Sequence, residues 1–598
     1  MFSKHWKTSE RKYDVAVERT VRIRMSDGVE LSADIFRPKA DGKFPAIVSY
    51  HPYDQAAQTG PIFPKSIALV PRLHPDQEKG NGSLEAGDPN FYVRRGYVHA
   101  IVNIRGTGLS DGLYHFPAPP EAQDGHEVIE WIARQPWCDG NVGMIGISAF
   151  GGAQFHAAVQ QPPHLRAIFP YDSMGAYGEW HFRDFYPGGV LHTMLYLLEP
   201  LSVVHHNLGI PGPLPPDVER KWQEAMKNPD YLMYPNIFNV VVMKGQLHPL
   251  YFATLIDPFD TEEIVKETEA RFEKINIPVY TGAGWYAYTY KLHLQGSQQW
   301  YQNIKAPKKL LFTGPAHLER PFHSFHDEIL RWYDHWLKGK DTGVMNEPPV
   351  KIWVMGANEW RYGDDWPLPE TQWTKLYLHS WERLRREPFT PSSRDASPEP
   401  DSFVQMPPTQ TNTIQRLRYM TAPLAEDTLV IGPIALYLFA SIDQDDTNWI
   451  VILKDVGPDV SVRTAREGEH DVPADLPERE LTRGWLKASH RAVDPKRSKP
   501  WRPWHPLTRK AWAPVVPGEI NEYAIEILST ANLFRKGHRI CLDITCLDLP
   551  TGTAGATSVE YIPYHICGSK TVVHKVYHNE QYPSHLLLPV IPTGERSG

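Results

Sequence analysis

Six short, almost uninterrupted apolar runs punctuate the first half of the chain: Ala46-Ile47-Val48, Val98 to Val102, Val142 to Ile147, Ala167 to Phe169, Val279-Tyr280 and Leu310 to Phe312. A strand that is apolar at consecutive positions must be buried on both faces, and a parallel sheet covered by helices buries both. Helical patterns lie between some of the runs. In Glu121 to Gln135 the residues Val128, Trp131 and Ile132 form one stripe, stopped by Pro136. In Phe325 to Lys338 the residues Ile329, Trp332, Tyr333, Trp336 and Leu337 share a face, and Gly339 is the stop signal. Ahead of this pattern, Val21, Ile23 and Met25 alternate with arginines, Ser26-Asp27-Gly28 turns the chain, and Val29, Leu31, Ala33 and Ile35 alternate again. That is an antiparallel hairpin with one buried face.

The rhythm breaks twice. Residues 174–275 read as helical, and the α/β pattern resumes after them, so they are an insertion expected to form a lid over the active edge of the sheet. From about residue 345 the helical period fades. Val350 to Met355, Trp373 to His379, Leu429 to Ile431, Ala435 to Ala440, Trp449 to Leu453, Tyr523 to Leu528 and Ile540 to Ile544 read as strands of an all-β sandwich, with a long Pro- and Ser-rich loop over Arg383 to Pro408. The expected division is an α/β core over 1–173 and 276–344, a helical cap over 174–275 and a β domain over 345–598. A chain of 598 residues has room for these units, and its 55 prolines suit a loop-rich build over long bundles.

Composition excludes several function classes. The net charge is −8 and no basic stripe occurs, which argues against nucleic acid as a partner. No apolar run reaches the roughly 18 residues of a membrane span, and the first residues lack the apolar core of a secretion signal. The four cysteines, Cys138, Cys541, Cys546 and Cys567, form neither a zinc pattern nor a disulfide framework, so a cytoplasmic protein with reduced thiols is expected. No metal or cofactor is expected. His205-His206 and the Asp443-Gln-Asp445-Asp446-Thr-Asn448 stretch resemble metal-binding segments only faintly; the latter lacks the central glycine and closing glutamate of a calcium loop. Arg105-Gly-Thr-Gly lacks the lysine of a phosphate loop.

The segment that carries chemistry is Gly146-Ile147-Ser148-Ala149-Phe150-Gly151-Gly152, placed between a strand and a helix. A serine in so sharp a strand-to-helix turn needs small neighbours, stands above the sheet, and faces the positive end of the helix dipole.

Further motifs follow in a fixed order: Met25-Ser-Asp-Gly-Val-Glu-Leu, Pro52-Tyr53-Asp54, Arg105-Gly106-Thr107-Gly108-Leu109-Ser110, Gln135-Pro-Trp-Cys-Asp-Gly-Asn-Val-Gly, Gly284-Trp285-Tyr286, Gly314-Pro315-Ala316-His317, Trp336-Leu337-Lys338-Gly339, Ala488-Ser489-His490-Arg491, Pro517-Gly518-Glu519 and Lys536-Gly537-His538-Arg539. In this set the chain resembles the cocaine esterase and X-prolyl dipeptidyl-peptidase (CocE/NonD) hydrolases, along nearly its whole length. The resemblance implies an α/β-hydrolase core with an inserted helical cap and a C-terminal all-β jelly-roll domain. It implies Ser148 as nucleophile, His317 as base, and the Ala149 N–H with the Tyr53 hydroxyl as oxyanion donors, with Asp54 structural. Trp285 and Tyr286 are candidates for the substrate pocket, as are Trp180, His181, Phe182 and Tyr186 of the cap; core packing is the alternative for each.

Two departures stand out. The family's Gly-Trp-Tyr-Asp reads Gly284-Trp285-Tyr286-Ala287, so the usual acid that orients the histidine is missing. The histidine motif is one residue short, with His323 and His326 close behind His317. Asp172, after the strand that follows the elbow helix, is the first candidate to replace the acid, and Glu319 the second. The expected function is hydrolysis of an ester or amide of a small neutral or aromatic molecule. The alternatives are an X-Pro-type dipeptidyl peptidase, or a binding protein weakened in catalysis by Ala287. The β domain is a candidate support for a homodimer; the sequence does not fix the oligomeric state.

Overall fold

The computed structural model describes residues 7–53, 55, 58, 85–114, 119–173, 185–192, 213–233, 235–244, 249–262, 266, 271–285, 288–314, 325–391, 397–411, 413–458, 478–547 and 568–592. The hairpin comes first: β1 (Val15–Arg24) pairs antiparallel with β2 (Glu30–Pro38), with Val21 opposite Ala33 and Ile23 opposite Leu31. Then come β3 (Phe44–His51), α1 (Pro89–Val93), β4 (Val98–Asn103), α2 (Pro119–Ala133), β5 (Cys138–Ser148), α3 (Ala149–Val159) and β6 (Leu165–Ser173). After the insertion the core resumes with β7 (Val279–Gly284), α8 (Tyr288–Asn303), β8 (Lys308–Thr313), α9 (His326–Lys338), β9 (Val350–Val354) and β10 (Glu359–Gly363). One sheet holds all ten strands in the order β1-β2-β4-β3-β5-β6-β7-β8-β9-β10. The strands from β4 to β9 in that order run parallel.

Side chains alternate between the two faces of the sheet, as the strand period requires. Val142 and Met144 pack with Val128, Ile129 and Ile132 of α2 and Phe155 of α3, while Ile145 and Ile147 pack with Ile329, Trp332 and Tyr333 of α9. Helix α9 ends where expected: Gly339 takes the left-handed conformation at φ 66° and its N–H returns to the last turn.

The insertion leaves the C-terminal end of β6. Its described helices are α4 (Pro216–Ala225), α5 (Pro229–Leu232), α6 (Pro235–Val242) and α7 (Pro249–Ile256). They close over a core of their own with Phe185 and Tyr186, which Leu507 of the β domain completes. Tyr186 is thus a core residue of the cap, its hydroxyl on the Thr254 carbonyl at 3.1 Å. Trp180, His181, Phe182 and His205-His206 lie outside the described residues.

The C-terminal region is all-β. Among the described residues eleven strands follow, from β11 (Gln372–His379) to β21 (His585–Ile591). The long strands β15 (Thr428–Ile442) and β18 (Asn521–Phe534) pair along most of their length, and β15 also pairs with β21, which closes the hydrogen-bonded circuit. Two details differ from the sequence reading. Val350–Val354, expected as the first strand of this domain, pairs parallel with β8 and belongs to the first sheet. The expected loop over 383–408 contains two short strands, β12 (Arg383–Arg385) and β13 (Asp401–Gln405).

Two of the segments weighed above make internal contacts. Arg105 grips Asp124 with two 2.6 Å hydrogen bonds and reaches Asp27 at 2.9 Å. Asp446 accepts from both the N–H and hydroxyl of Ser489. Among the described residues no cluster of three or more His, Cys, Asp or Glu could hold a metal ion, and no helix is long and apolar enough to cross a membrane.

Burial makes stability acid-sensitive. His51, His99, His156 and His574 are pushed down to about 3 and His490 to about 4, in each case chiefly by burial. Above an ordinary histidine value of about 6.5 both states are neutral at these positions. Below it the unfolded chain takes up protons that the folded chain refuses, so stability falls with pH. Tm should decline steadily from pH 6.5 to pH 4 in a scanning calorimeter; a flat profile would contradict the buried neutral state.

Candidate active site

Strand β5 runs directly into helix α3 through Ser148, whose backbone is held at φ 61° and ψ −118°. A non-glycine residue in that region costs on the order of 1–3 kcal/mol and persists only where its surroundings enforce it. The enforcement is visible. A Cβ on Gly146 would stand 2.2 Å from the Cβ of Phe150, and one on Gly151 would stand 2.7 Å from the Cβ of Ser173. Only glycine lets α3 start this close to its own strand and to β6. Gln154 pins the turn from above: its amide nitrogen donates to the Gly146 and Phe169 carbonyls at 3.3 and 3.2 Å, and its oxygen accepts the Phe169 N–H at 2.9 Å.

Ser148 Oγ lies 3.0 Å from Nε2 of His293. The histidine comes from α8, which follows β7 and returns along the C-terminal ends of the strands. Three residues of one helix face, spaced i, i+4, i+7, meet those ends. His293 meets Ser148, Ser297 donates to the Gly282 carbonyl at 2.6 Å, and Trp300 Nε1 donates to Ser173 Oγ at 3.0 Å. The neighbouring face of α8 turns to the β domain. Leu294 and Tyr301 enter the large cluster shared by β7–β9 and the C-terminal strands, and Gln298 Oε1 accepts from Ser529 of β18 at 3.0 Å and from Trp366 at 3.2 Å. Both Ser148 and His293 are almost fully buried.

Tyr53 stands beside the elbow. It follows β3, and its ring is 5.9 Å from that of Phe150. Ala149 is the first residue of α3, so its N–H is among the amides at a helix start that lack an intrahelical acceptor. Asp172 is the penultimate residue of β6, at φ 40°, one residue before Ser173, which is paired with Ser148. Burial holds the Asp172 carboxyl well above the usual carboxylate range, opposed by the Gly284 N–H that Oδ1 accepts at 2.9 Å.

Other sequence candidates fall elsewhere. Trp285 is fully buried, stacked on Phe312 at 4.6 Å with its Nε1 on the Trp353 carbonyl at 2.6 Å. It packs as core between the two domains, the alternative to its pocket reading. His326 starts α9, edge-on to Phe91 at 4.3 Å. Asp54, Tyr286, Ala287, His317, Glu319 and His323 lie outside the described residues. His293 is not among the sequence candidates. Its signal was the polar spacing His293-Ser297 on the helix after Gly284-Trp285, and nothing separated it from the other histidines until α8 was placed.

A serine on a strained strand-to-helix turn, with a histidine nitrogen on its hydroxyl and free helix amides beside it, defines an α/β hydrolase of the serine class. Residues 27–319 match the X-Pro dipeptidyl-peptidase (S15) family, and residues 342–587 match the X-Pro dipeptidyl-peptidase C-terminal non-catalytic domain. The cocaine esterase of Rhodococcus sp. is 26% identical over 96% of this chain and 99% of its own length. A CocE/NonD family hydrolase from Staphylococcus aureus superposes with a TM-score of 0.73, at 23% identity over 96% of this chain and 93% of that one. An aminopeptidase from the marine sediment archaeon Thaumarchaeota archaeon superposes at 0.71, with 19% identity over 99% of both chains. The chain belongs to this CocE/NonD and S15 family of serine hydrolases, and carries both of its domains.

The elbow should tolerate no side chain at Gly146. Gly146→Ala is expected to cost roughly 3 kcal/mol or more, from overpacking against Phe150 together with the backbone conformation. Urea unfolding would measure it, and a variant as stable as the parent would show that the turn is looser than described.

Proposed function

We propose that the chain is a serine acyl hydrolase that cleaves an ester or amide of a small neutral or aromatic molecule through an acyl-enzyme. The observation that carries this reading is the 3.0 Å contact between Ser148 Oγ and His293 Nε2 at the elbow. Oγ attacks the substrate carbonyl carbon as His293 takes the hydroxyl proton. The carbonyl oxygen becomes an oxyanion, held by the Ala149 N–H at the start of α3 and by the Tyr53 hydroxyl. Donors of this kind typically contribute about 10²–10³-fold each. His293 then returns the proton to the leaving alcohol or amine, and the carbonyl re-forms as an ester of Ser148. In the second half, water adds to that ester while His293 takes its proton, and the same proton passes back to Oγ as the acid departs.

Asp172 is the acid we assign to orienting the base, in the place of the family aspartate that Ala287 has replaced. Its support is its position beside the serine strand near the end of β6, and the role requires that the imidazolium formed in the reaction offset the burial that favours its neutral carboxyl. A second assignment of the base, His317, is favoured by its motif, which starts at Gly314 directly after β8, at the same edge of the sheet. The family also admits X-Pro dipeptidyl peptidases. That activity needs carboxylates placed for a substrate ammonium, and the sequence offers no such cluster. A silent binding protein is the reading that Ala287 invites.

A fluorophosphonate probe separates these readings. It should form an adduct on Ser148 that is lost in Ser148→Ala; no adduct on the parent chain would favour the silent protein. His293→Gln should lower kcat/KM for p-nitrophenyl acetate by about 10³-fold or more, whereas a larger loss in His317→Gln would move the base to His317. Asp172→Asn should cost on the order of 10³–10⁴ in kcat. Unchanged turnover would remove Asp172 from the mechanism and leave Ser148 in it.

A further inference from the structure

Tyr53 is gripped through its backbone by two side chains from adjacent strands. β3 and β4 run parallel and set His51 and Asn103 side by side at their C-terminal ends. His51 Nδ1 accepts the Tyr53 N–H at 3.1 Å, and Asn103 Nδ2 donates to the Tyr53 carbonyl at 2.9 Å. Both peptide groups of one residue are thus fixed from the end of the sheet. The same imidazole stacks on the ring of Phe150, centroids 4.7 Å apart and planes 20° apart, and Phe150 immediately follows Ala149. One side chain therefore touches the backbone of one proposed oxyanion donor and the ring next to the other.

The ring is itself held. With Nδ1 accepting, its proton sits on Nε2, which faces Gln55 Oε1 at 3.0 Å, and Gln55 Nε2 donates onward to the Ile101 carbonyl at 3.0 Å. Asn103 is fixed from below by close packing: a Cβ on Gly108 of the Arg105-Gly-Thr-Gly turn would stand 2.4 Å from Asn103 Oδ1. That turn is the floor of this arrangement. Burial pushes His51 down to about 3, so Nδ1 keeps its lone pair through the mildly acidic range.

We propose that His51 and Asn103 are positioning residues of the oxyanion hole: they fix the backbone of Tyr53 against the first turn of α3, so that its hydroxyl and the Ala149 N–H converge on one point. This rests on the reading of Tyr53 as an oxyanion donor. Hydrogen bonds to the backbone just beyond a strand end are a way to hold a donor at the distance the transition state needs.

The test is a double-mutant cycle on the full chain with p-nitrophenyl acetate, the rate of fluorophosphonate labelling of Ser148 serving as a second readout. Tyr53→Phe should lower kcat about 10²-fold. His51→Phe keeps a ring for Phe150 but cannot accept the Tyr53 N–H; it should lower kcat 10- to 100-fold with KM changed less than about twofold. His51→Asn should restore most of the rate, because an asparagine oxygen accepts an N–H two residues on. The double variant Tyr53→Phe with His51→Phe should be no slower than Tyr53→Phe alone. Parent-like kcat in His51→Phe, or losses that multiply in full, would overturn the proposal. If His51→Phe fails to fold, Asn103→Ala takes its place in the same cycle with the same expectations. Tyr53→Phe at the parent rate, with Ser148 still labelled, would remove the oxyanion reading and this inference with it, while leaving the serine hydrolase reading intact.

Discussion

The structure depends on a helix with two burdens. α8 lies between the ends of the parallel sheet and the β domain, and each side of it makes contacts that the other side cannot make alone. Trp300 and Ser297 tie it to β6 and β7, and Gln298, Leu294 and Tyr301 tie it to β18 and the interdomain core. A helix held on one side only could slide or roll by a fraction of a turn. Held on both, it presents His293 to Ser148 within hydrogen-bond reach. Distances of this kind are the ones on which proton transfer depends most steeply.

The elbow shows how the cost of such a site is contained. Ser148 and Asp172 both take backbone conformations that L-residues avoid, and both sit at the ends of adjacent central strands. Parallel strands buried on both faces supply rigid surroundings, and Gly146, Gly151 and Gln154 remove the space through which the turn could relax. The side occupied by Tyr53 follows the same plan. The loop after β3 is anchored to strand ends through His51 and Asn103, so three consecutive strands of the sheet, β4, β3 and β5, each contribute to one small volume above their C-terminal edges.

Much of this was legible in the chain before any coordinates. The hairpin, the both-face-buried strands, α9 with its Gly339 stop and the small residues around Ser148 each follow from period and sterics. What was not legible depended on partners distant in sequence. Val350–Val354 is an apolar run that suits either domain, and only β8 decides which sheet it joins. β12 and β13 are three and five residues long within a stretch rich in Pro and Ser, too short to outweigh loop composition. Trp285 offers the same aromatic ring to a pocket or to a core, and the carbonyl of Trp353 decides for the core. His293 was hidden for a similar reason: its local sequence is that of an ordinary helix, and its partner lies 145 positions earlier.

The double burden of α8 has a consequence for how the protein comes into being. Ser148 and His293 are both synthesised well ahead of the strand that braces α8 on its outer side, β18, which spans Asn521–Phe534. A nascent chain can therefore carry a finished sheet and a serine at its edge while the helix opposite still lacks its outer support. A strand made long after Ser148 and His293 thus takes part in setting how the two face one another.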